Sequence, residues 1–195
     1  FGQIGCFSFY PGKNLGAYGE AGALVTDDEG IAARARSLRD HGQFRRYYHD
    51  EIGYNYRMDG FQGAVLSVKL KHLDVWNAAR AAHAKQYNQL LTGLPIALPI
   101  LPADSESAWH LYVIETAGVS GLQKKLADAG IQTGLHYPVP VHLQNAYAHL
   151  GLACGSFPVS ETLAERCLSL PMFPELTDEQ IVAVSHTLQW AVREL

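Results

Sequence analysis

At 195 residues, with 48% hydrophobic and 17% charged side chains, the chain can bury one good core or two small ones and is too apolar for disorder. Its formal net charge of −4 argues against a nucleic-acid partner, which demands a basic surface, and no apolar run approaches a membrane span. The three cysteines, Cys6, Cys154 and Cys167, are odd in number and widely spaced, which suits buried thiols in a reducing cytoplasm better than a disulfide framework.

Residues 4–10 and 22–27 read as two short strands around a loop, the second rich in Leu and Val. Asp27 or Asp28 can cap a helix that carries Ile31, Ala35 and Leu38 on one face and stops near Gly42. Residues 43–58 read as a polar, aromatic loop. Asp59 can cap one long helix to about Leu91, closed by Gly93 and Pro95, with Val65, Val68 and Val75 as core. The Pro-rich stretch from 95 to 102 reads as a boundary or connection. Beyond it, 109–116 is a strand, 120–129 a short helix with Leu122 and Leu126 in register and Gly130 as its stop, and 131–137 a second strand. A helix over 158–167 follows. The last helix opens with Thr177-Asp178-Glu179-Gln180, a capping-box pattern, and turns Ile181, Val184, Leu188 and Val192 inward. Strand, helix, strand, helix, helix makes a small α/β domain.

Lys13 stands in Phe7-Ser8-Phe9-Tyr10-Pro11-Gly12-Lys13-Asn14-Leu15-Gly16-Ala17-Tyr18-Gly19-Glu20-Ala21-Gly22, among aromatics, glycines and a proline. A solvated loop lysine needs no such neighbours. A lysine in a packed, partly dry pocket loses its proton more easily, and the neutral amine is what attacks a carbonyl. Further motifs follow in order: Asp40-His41-Gly42, Gly53-Tyr54-Asn55-Tyr56-Arg57-Met58-Asp59, His136-Tyr137-Pro138-Val139-Pro140-Val141-His142, and Ser169-Leu170-Pro171-Met172-Phe173-Pro174-Glu175-Leu176-Thr177.

Together these motifs resemble the DegT/DnrJ/EryC1/StrS family of sugar aminotransferases, over essentially the whole chain. The sequence departs from the family at Gly19-Glu20-Ala21-Gly22, where a third glycine is common, and at Tyr56, where glycine is common. The resemblance implies an α/β protein of the PLP-dependent transferase fold type I, the aspartate aminotransferase-like fold. On that basis 1–75 is the C-terminal part of a large cofactor-binding domain, 76–94 the connecting part of the long helix, and 95–195 the small C-terminal α/β domain. Since the family lysine lies near the middle of a longer chain, the sequence looks like a C-terminal half. The first segment is then expected to expose apolar surface, because its short strands need sheet neighbours. The implied activity is conversion of a nucleotide-linked keto-sugar to an amino-sugar, with glutamate as donor, in a cytoplasmic homodimer that binds neither nucleic acid nor membrane. Lys13 is the implied covalent anchor of pyridoxal 5′-phosphate (PLP) and the base of the reaction, with Ser8 and Asn55 as donors to its phosphate, Asn55 across the subunit interface. A dehydratase of the same family, which lacks the lysine, and a regulatory or non-catalytic fragment are the alternatives.

The same residues have plainer readings. Ser8 is also a strand-edge hydroxyl of the kind that bonds backbone, and Asn55 a turn residue that tolerates left-handed backbone. Arg57 can bind a sugar-nucleotide phosphate or pair with an acid at a dimer interface. Arg45-Arg46-Tyr47-Tyr48-His49 reads as a diphosphate contact or a solvated loop rather than a nucleic-acid site. His136, Tyr137 and His142 follow a strand in a Pro-rich turn that, in the family, borders the active site and can hydrogen-bond the sugar; the alternative is that the turn only packs the small domain. With His149 they imitate a metal cluster, but the spacing is not a zinc spacing and no metal is expected. His110, in Trp109-His110-Leu111-Tyr112, reads as a satisfied strand histidine. No Walker loop, dinucleotide fingerprint or serine-hydrolase elbow occurs.

Overall fold

The apolar runs on either side of Lys13 pair with each other. The computed structural model describes residues 2–193 and divides the chain into two compact units, Phe1–Asp74 and Val75–Leu195.

In the first unit, strands β1 (Gly5–Ser8) and β2 (Gly22–Val25) form an antiparallel ribbon, with Gly5 opposite Val25 and Ser8 opposite Gly22. A two-stranded ribbon buries too little to be stable alone. Its apolar residues stay in the open: Phe7 is 54% exposed, and Leu24 and Val25 are exposed beside it, as expected for this segment. Helix α1 (Glu29–Arg39) starts where the Asp28 carboxylate accepts the Ile31 amide at 2.9 Å, satisfying one of the unpaired N–H groups of its first turn.

Residues 43–58, read as a loop, contain a small hairpin of β3 (Gln43–Arg45) and β4 (Tyr48–His49). Tyr47 turns it at φ 73°, with its amide donated to the Gln43 side chain at 3.0 Å. The guanidinium of Arg45 lies 3.6 Å from the centre of the Tyr48 ring, and that of Arg46 4.9 Å from Tyr47. The hairpin hangs on a narrow neck. A Cβ on Gly42 would run into the Glu51 carbonyl, and one on Gly53 into the Gly42 amide, so only glycines let the two strands of the neck pass. Tyr54 N–H to Leu38 O at 2.7 Å and Gly42 N–H to Ser37 O at 2.9 Å tie the neck to α1.

The long helix expected from Asp59 to Leu91 is two helices, α2 (Gly60–Lys69) and α3 (Leu73–Leu91), separated by a 3-10 turn at Leu70–His72. Asp59 holds the N-cap position of α2 without making a side-chain cap bond. Of the expected core valines, Val65 is half-buried, while Val68 is exposed and Val75 is 70% exposed. The buried face of α2 is instead Gln62 and Leu66.

The second unit has a conventional core. Helix α3, read as a connector, supplies Arg80, Ala84, Tyr87 and Leu91 to it. Strand β5 (Tyr112–Glu115) pairs antiparallel with β6 (Cys167–Leu170), and all four residues of β6 are buried. Helices α4 (Val119–Asp128) and α6 (Asp178–Arg193) bring in Leu122, Leu126, Ile181, Val184 and Leu188, each worth about 1.5–3 kcal/mol of apolar burial. The capping box at the start of α6 forms: Gln180 N–H donates to Thr177 Oγ1 at 3.3 Å, and Thr177 N–H to Gln180 Oε1 at 3.0 Å. Helix α5 (Pro158–Arg166) ends one residue early because Cys167 opens β6, a strand the sequence pattern does not announce. The strand expected over 131–137 is a single bridge, Gly134 with Ser169. The Pro-rich stretch 95–102 lies inside this unit, with Ala97 bridged to Glu115.

Three polar side chains shape this core. The Arg80 guanidinium, mostly buried, donates to the carbonyls of Trp109, His110 and Met172 at 3.0–3.2 Å. Tyr87 and Tyr112 pack with their rings tilted and ring centres 4.9 Å apart, and burial pushes both phenols up from their ordinary range. Of the three cysteines only Cys167 is buried; Cys6 and Cys154 are exposed, against expectation, and all three are free thiols.

Candidate active site

The segment around Lys13 closes on itself before it meets anything else. Lys13 N–H donates to Tyr10 O at 2.8 Å, making a tight turn, and Ala17 N–H donates to Phe9 O at 2.8 Å. Gly16 packs so close to Pro11 that a Cβ there would strike the Pro11 carbonyl. Helix α2 then pins the loop from the side. The Gln62 amide oxygen accepts Tyr18 N–H at 2.8 Å, and Lys69 Nζ donates to Gly16 O and lies 5.5 Å from the centre of the Tyr18 ring. A half-buried Lys13 is left on a loop with little freedom to move.

Ser8 stands at the end of β1 in the same hairpin. Its hydroxyl oxygen accepts the Tyr10 amide at 3.3 Å, which leaves the hydroxyl proton available for donation. Asn55 and Arg57 occupy another part of the unit, gathered around Asp40. Asp40 and Asn55 pair in an antiparallel bridge, and Arg57 donates to the Asp40 carboxylate at 2.7 Å. The Gln43 amide, and with it Arg57, holds that carboxyl below the ordinary carboxylate range. Arg57 also lines a cleft of about 640 Å3 with Arg36 and Arg39.

The other predicted residues belong to the second unit. His136 and Tyr137 are exposed, their rings edge to face at 5.3 Å. His142, expected on the substrate side, is paired with a carboxylate. Its side chain is 8% exposed, and its Nε2 lies 2.9 Å from Glu161 Oε1. Glu161 also accepts the amides of Gly155 at 2.7 Å and Phe157 at 3.1 Å, and these bonds hold its pKa down to about 2. His142 and Glu161 thus fasten the turn to α5. The Cys154 thiol donates to Glu161 at 3.3 Å, and the carboxylate pushes the thiol up, away from reactive thiolate. His149 bonds the Ala146 carbonyl; among the described residues no His, Cys, Asp or Glu cluster forms a metal site.

The structure therefore brings Ser8 and Lys13 into one hairpin, Asn55 and Arg57 against one aspartate, the first through backbone and the second through its side chain, and His136 beside Tyr137. The supports of the first two sets escaped the sequence reading. Gln62 and Lys69 touch residues 44 and 53 positions away and carry no local signature. Asp40 stood in a quoted motif, and its charge opposite Arg57 was the available signal.

The model of the DegT/DnrJ/EryC1/StrS aminotransferase family matches residues 1–189. The chain belongs to this family. It is 52% identical over 184 residues to the erythromycin biosynthesis sensory transduction protein EryC1 of Saccharopolyspora erythraea, a match covering 94% of this chain and 50% of that protein. It is 45% identical over 193 residues to the dTDP-3-amino-3,4,6-trideoxy-alpha-D-glucose transaminase of Streptomyces venezuelae, covering 98% and 51% respectively. The crystal structure of S. venezuelae DesV in complex with a ketimine intermediate matches with a TM-score of 0.92 at 45% identity, covering 96% of this chain and 51% of that one. The chain spans about half the length of the relatives it matches, and its fold is that of the PLP-dependent transferases of fold type I. Among the described residues no helix is long and apolar enough to cross a membrane.

Proposed function

We propose that this member of the DegT/DnrJ/EryC1/StrS family is the lysine-bearing portion of a PLP-dependent sugar aminotransferase. It acts on a nucleotide-linked keto-sugar, takes its amino group from glutamate, and works as a cytoplasmic homodimer. Unit 1 belongs to a larger cofactor-binding domain and unit 2 is the small α/β domain. The observation that carries this reading is the Lys13 loop, whose backbone is closed by two bonds of its own and held from the side by two side chains of α2. Family membership and 45% identity to a dTDP-sugar transaminase support it.

The residues present fit the cofactor. A phosphorylated pyridoxal asks for an amine to hold its aldehyde, hydrogen-bond donors for its phosphate, and apolar surface for its ring. Lys13, the Ser8 hydroxyl and the Asn55 amide meet the first two needs, and the aromatic, glycine-rich lining of the loop meets the third. When bound, the group supplies an electron sink for the carbon that loses its proton. The chain's own residues do the rest. Lys13 Nζ would hold the aldehyde and, as the free amine, would take a proton from the amino donor's carbon in one half-reaction and deliver a proton to the sugar's carbonyl carbon in the other. Ser8 and, across the two-fold interface, Asn55 hold the phosphate. Arg57 meets the diphosphate of the substrate, and His136 with Tyr137 meets its sugar hydroxyls, while His142 holds their turn in place.

The test is covalent. Borohydride reduction of the PLP-loaded enzyme, followed by peptide mass spectrometry, should find a pyridoxyl label on Lys13. Lys13→Ala and Lys13→Arg should lose both the label and amino transfer, since arginine stays protonated. A label on another residue would reject the reading. One relative is named for sensory transduction, which favours a regulatory reading as the second; a fully labelled enzyme that aminates no nucleotide-linked keto-sugar would select it.

A further inference from the structure

We infer that Ser169 is the positioning residue for His136, holding its neutral ring as the Nε2–H tautomer so that an N–H donor faces the substrate. This rests on the reading above that His136 meets the sugar. Ser169 is 3% exposed, in the middle of β6 opposite Val113. Its backbone is fixed on its other side as well: its N–H donates to Gly134 O at 2.8 Å, and its carbonyl accepts Gly134 N–H at 3.0 Å. From that rigid base its Oγ lies 2.8 Å from His136 Nδ1.

Gly134 makes the contact possible. A Cβ built on it would meet His136 Cε1 at 2.6 Å and Nδ1 at 3.2 Å, so the imidazole lies folded over a backbone that has no side chain. The Tyr137 ring closes on it edge to face. The ring is thus held by a hydroxyl, a bare glycine and an aromatic edge.

The direction of the bond follows from satisfying the buried hydroxyl. Among the described residues His136 Nδ1 is the only hydrogen-bond partner of the Ser169 hydroxyl. If Nδ1–H were the donor, the hydroxyl proton would be left buried without an acceptor, a costly state. The hydroxyl therefore donates to Nδ1, the imidazole proton sits on Nε2, and Nε2 has no protein partner among the described residues. What His136 offers outward is a donor, suited to a sugar or carbonyl oxygen and not to a substrate N–H.

Nitrogen NMR of the holoenzyme, labelled with ring-15N histidine, reads the tautomer directly, with His136 assigned from the signal lost in His136→Ala. The expected wild-type pattern is an unprotonated, hydrogen-bonded Nδ1 and a protonated Nε2. Both Ser169→Ala, which removes the donor, and Gly134→Ala, which pushes the ring off its seat, should move the Nδ1 resonance. Each should also lower kcat/KM for the keto-sugar half-reaction by about tenfold while sparing the glutamate half-reaction. Ser169→Ala added to His136→Ala should cost nothing more. A protonated Nδ1 in the wild type, or an Nδ1 resonance unmoved in both variants, overturns the assignment. If the resonance moves while neither Ser169→Ala nor His136→Ala changes keto-sugar turnover, the Ser169–His136 link stands and the sugar-contact reading of His136 falls.

Discussion

The two units are held together by different means. The second unit has a core of Tyr87, Tyr112, Ile114, Leu122, Leu126, Leu168 and Leu188, each fully buried. In the first, the only buried apolar side chains among the described residues are Ala17 and Leu66, while Phe7, Leu24, Val25, Tyr54 and Tyr56 lie in the open. What order unit 1 has comes from backbone closure: turns bonded to themselves, a hairpin on a neck, and Gln62 and Lys69 reaching across to a loop. Lys13 and Ser8 thus sit where self-supplied burial is weakest. Hydrogen bonds exchanged with water contribute little net stability, so geometry closed this way needs apolar cover to be firm.

The contrast can be broken most sharply by truncating one residue in each unit of the isolated chain. Leu188→Ala should cost unit 2 about 2–5 kcal/mol, because the cavity it leaves cannot collapse. Phe7→Ala should cost unit 1 far less, about 1 kcal/mol or below, since more than half of the side chain it removes is already in water. Hydrogen exchange followed by mass spectrometry reports each unit separately, and comparable losses would erase the distinction. Arg80→Met should come next, at about 2–3 kcal/mol, since it strands the carbonyls of Trp109, His110 and Met172 in the core; denaturant titration followed through the unit 2 tryptophans measures it. The smallest effect is confined to acid. Glu161 titrates at about 2 in the fold against 4.5 when free. A depressed value means its contribution is fully present above 4.5 and fades as pH falls toward about 2. Protection of the amides of Gly155 and Phe157 should fall across that window, and Glu161→Gln should show the loss already at neutral pH.

Much of this was legible in the sequence where the determinant is local. The Asp28 cap, the Thr177–Gln180 box and the Gly130 stop lie within a few residues of what they control. The ordered motifs were specific enough to indicate family and fold class. Features made by distant partners were not legible. Strand β6 is only four residues, Cys167-Leu168-Ser169-Leu170, too short for a periodicity to stand out, and β5, more than fifty positions earlier, makes it a strand. Val68 and Val75 have core periodicity, yet periodicity says which residues share a face and not whether anything covers it. In the candidate site, Lys13 declared itself through its neighbours, whereas Gln62, Lys69 and Ser169 act on residues 33 to 53 positions away. His142 likewise has a partner its motif does not announce, a carboxylate 19 positions on.

The neck at Gly42 and Gly53 has a consequence for how such a protein can change over generations. Any side chain at either glycine collides with the opposing strand, so both positions are closed to substitution. The stretch between them is bonded to the rest of unit 1 through that neck, the Glu51 contacts to Ser37 and Arg34, and the bonds of Gln43 to Asp40 and His49 to His41, all at its base. Its exposed aromatic and arginine tip can be rewritten, lengthened or exchanged without disturbing α1. Two sterically fixed glycines with a replaceable insert between them make a cassette, a means by which one scaffold can acquire new surface chemistry while its lysine loop is left untouched.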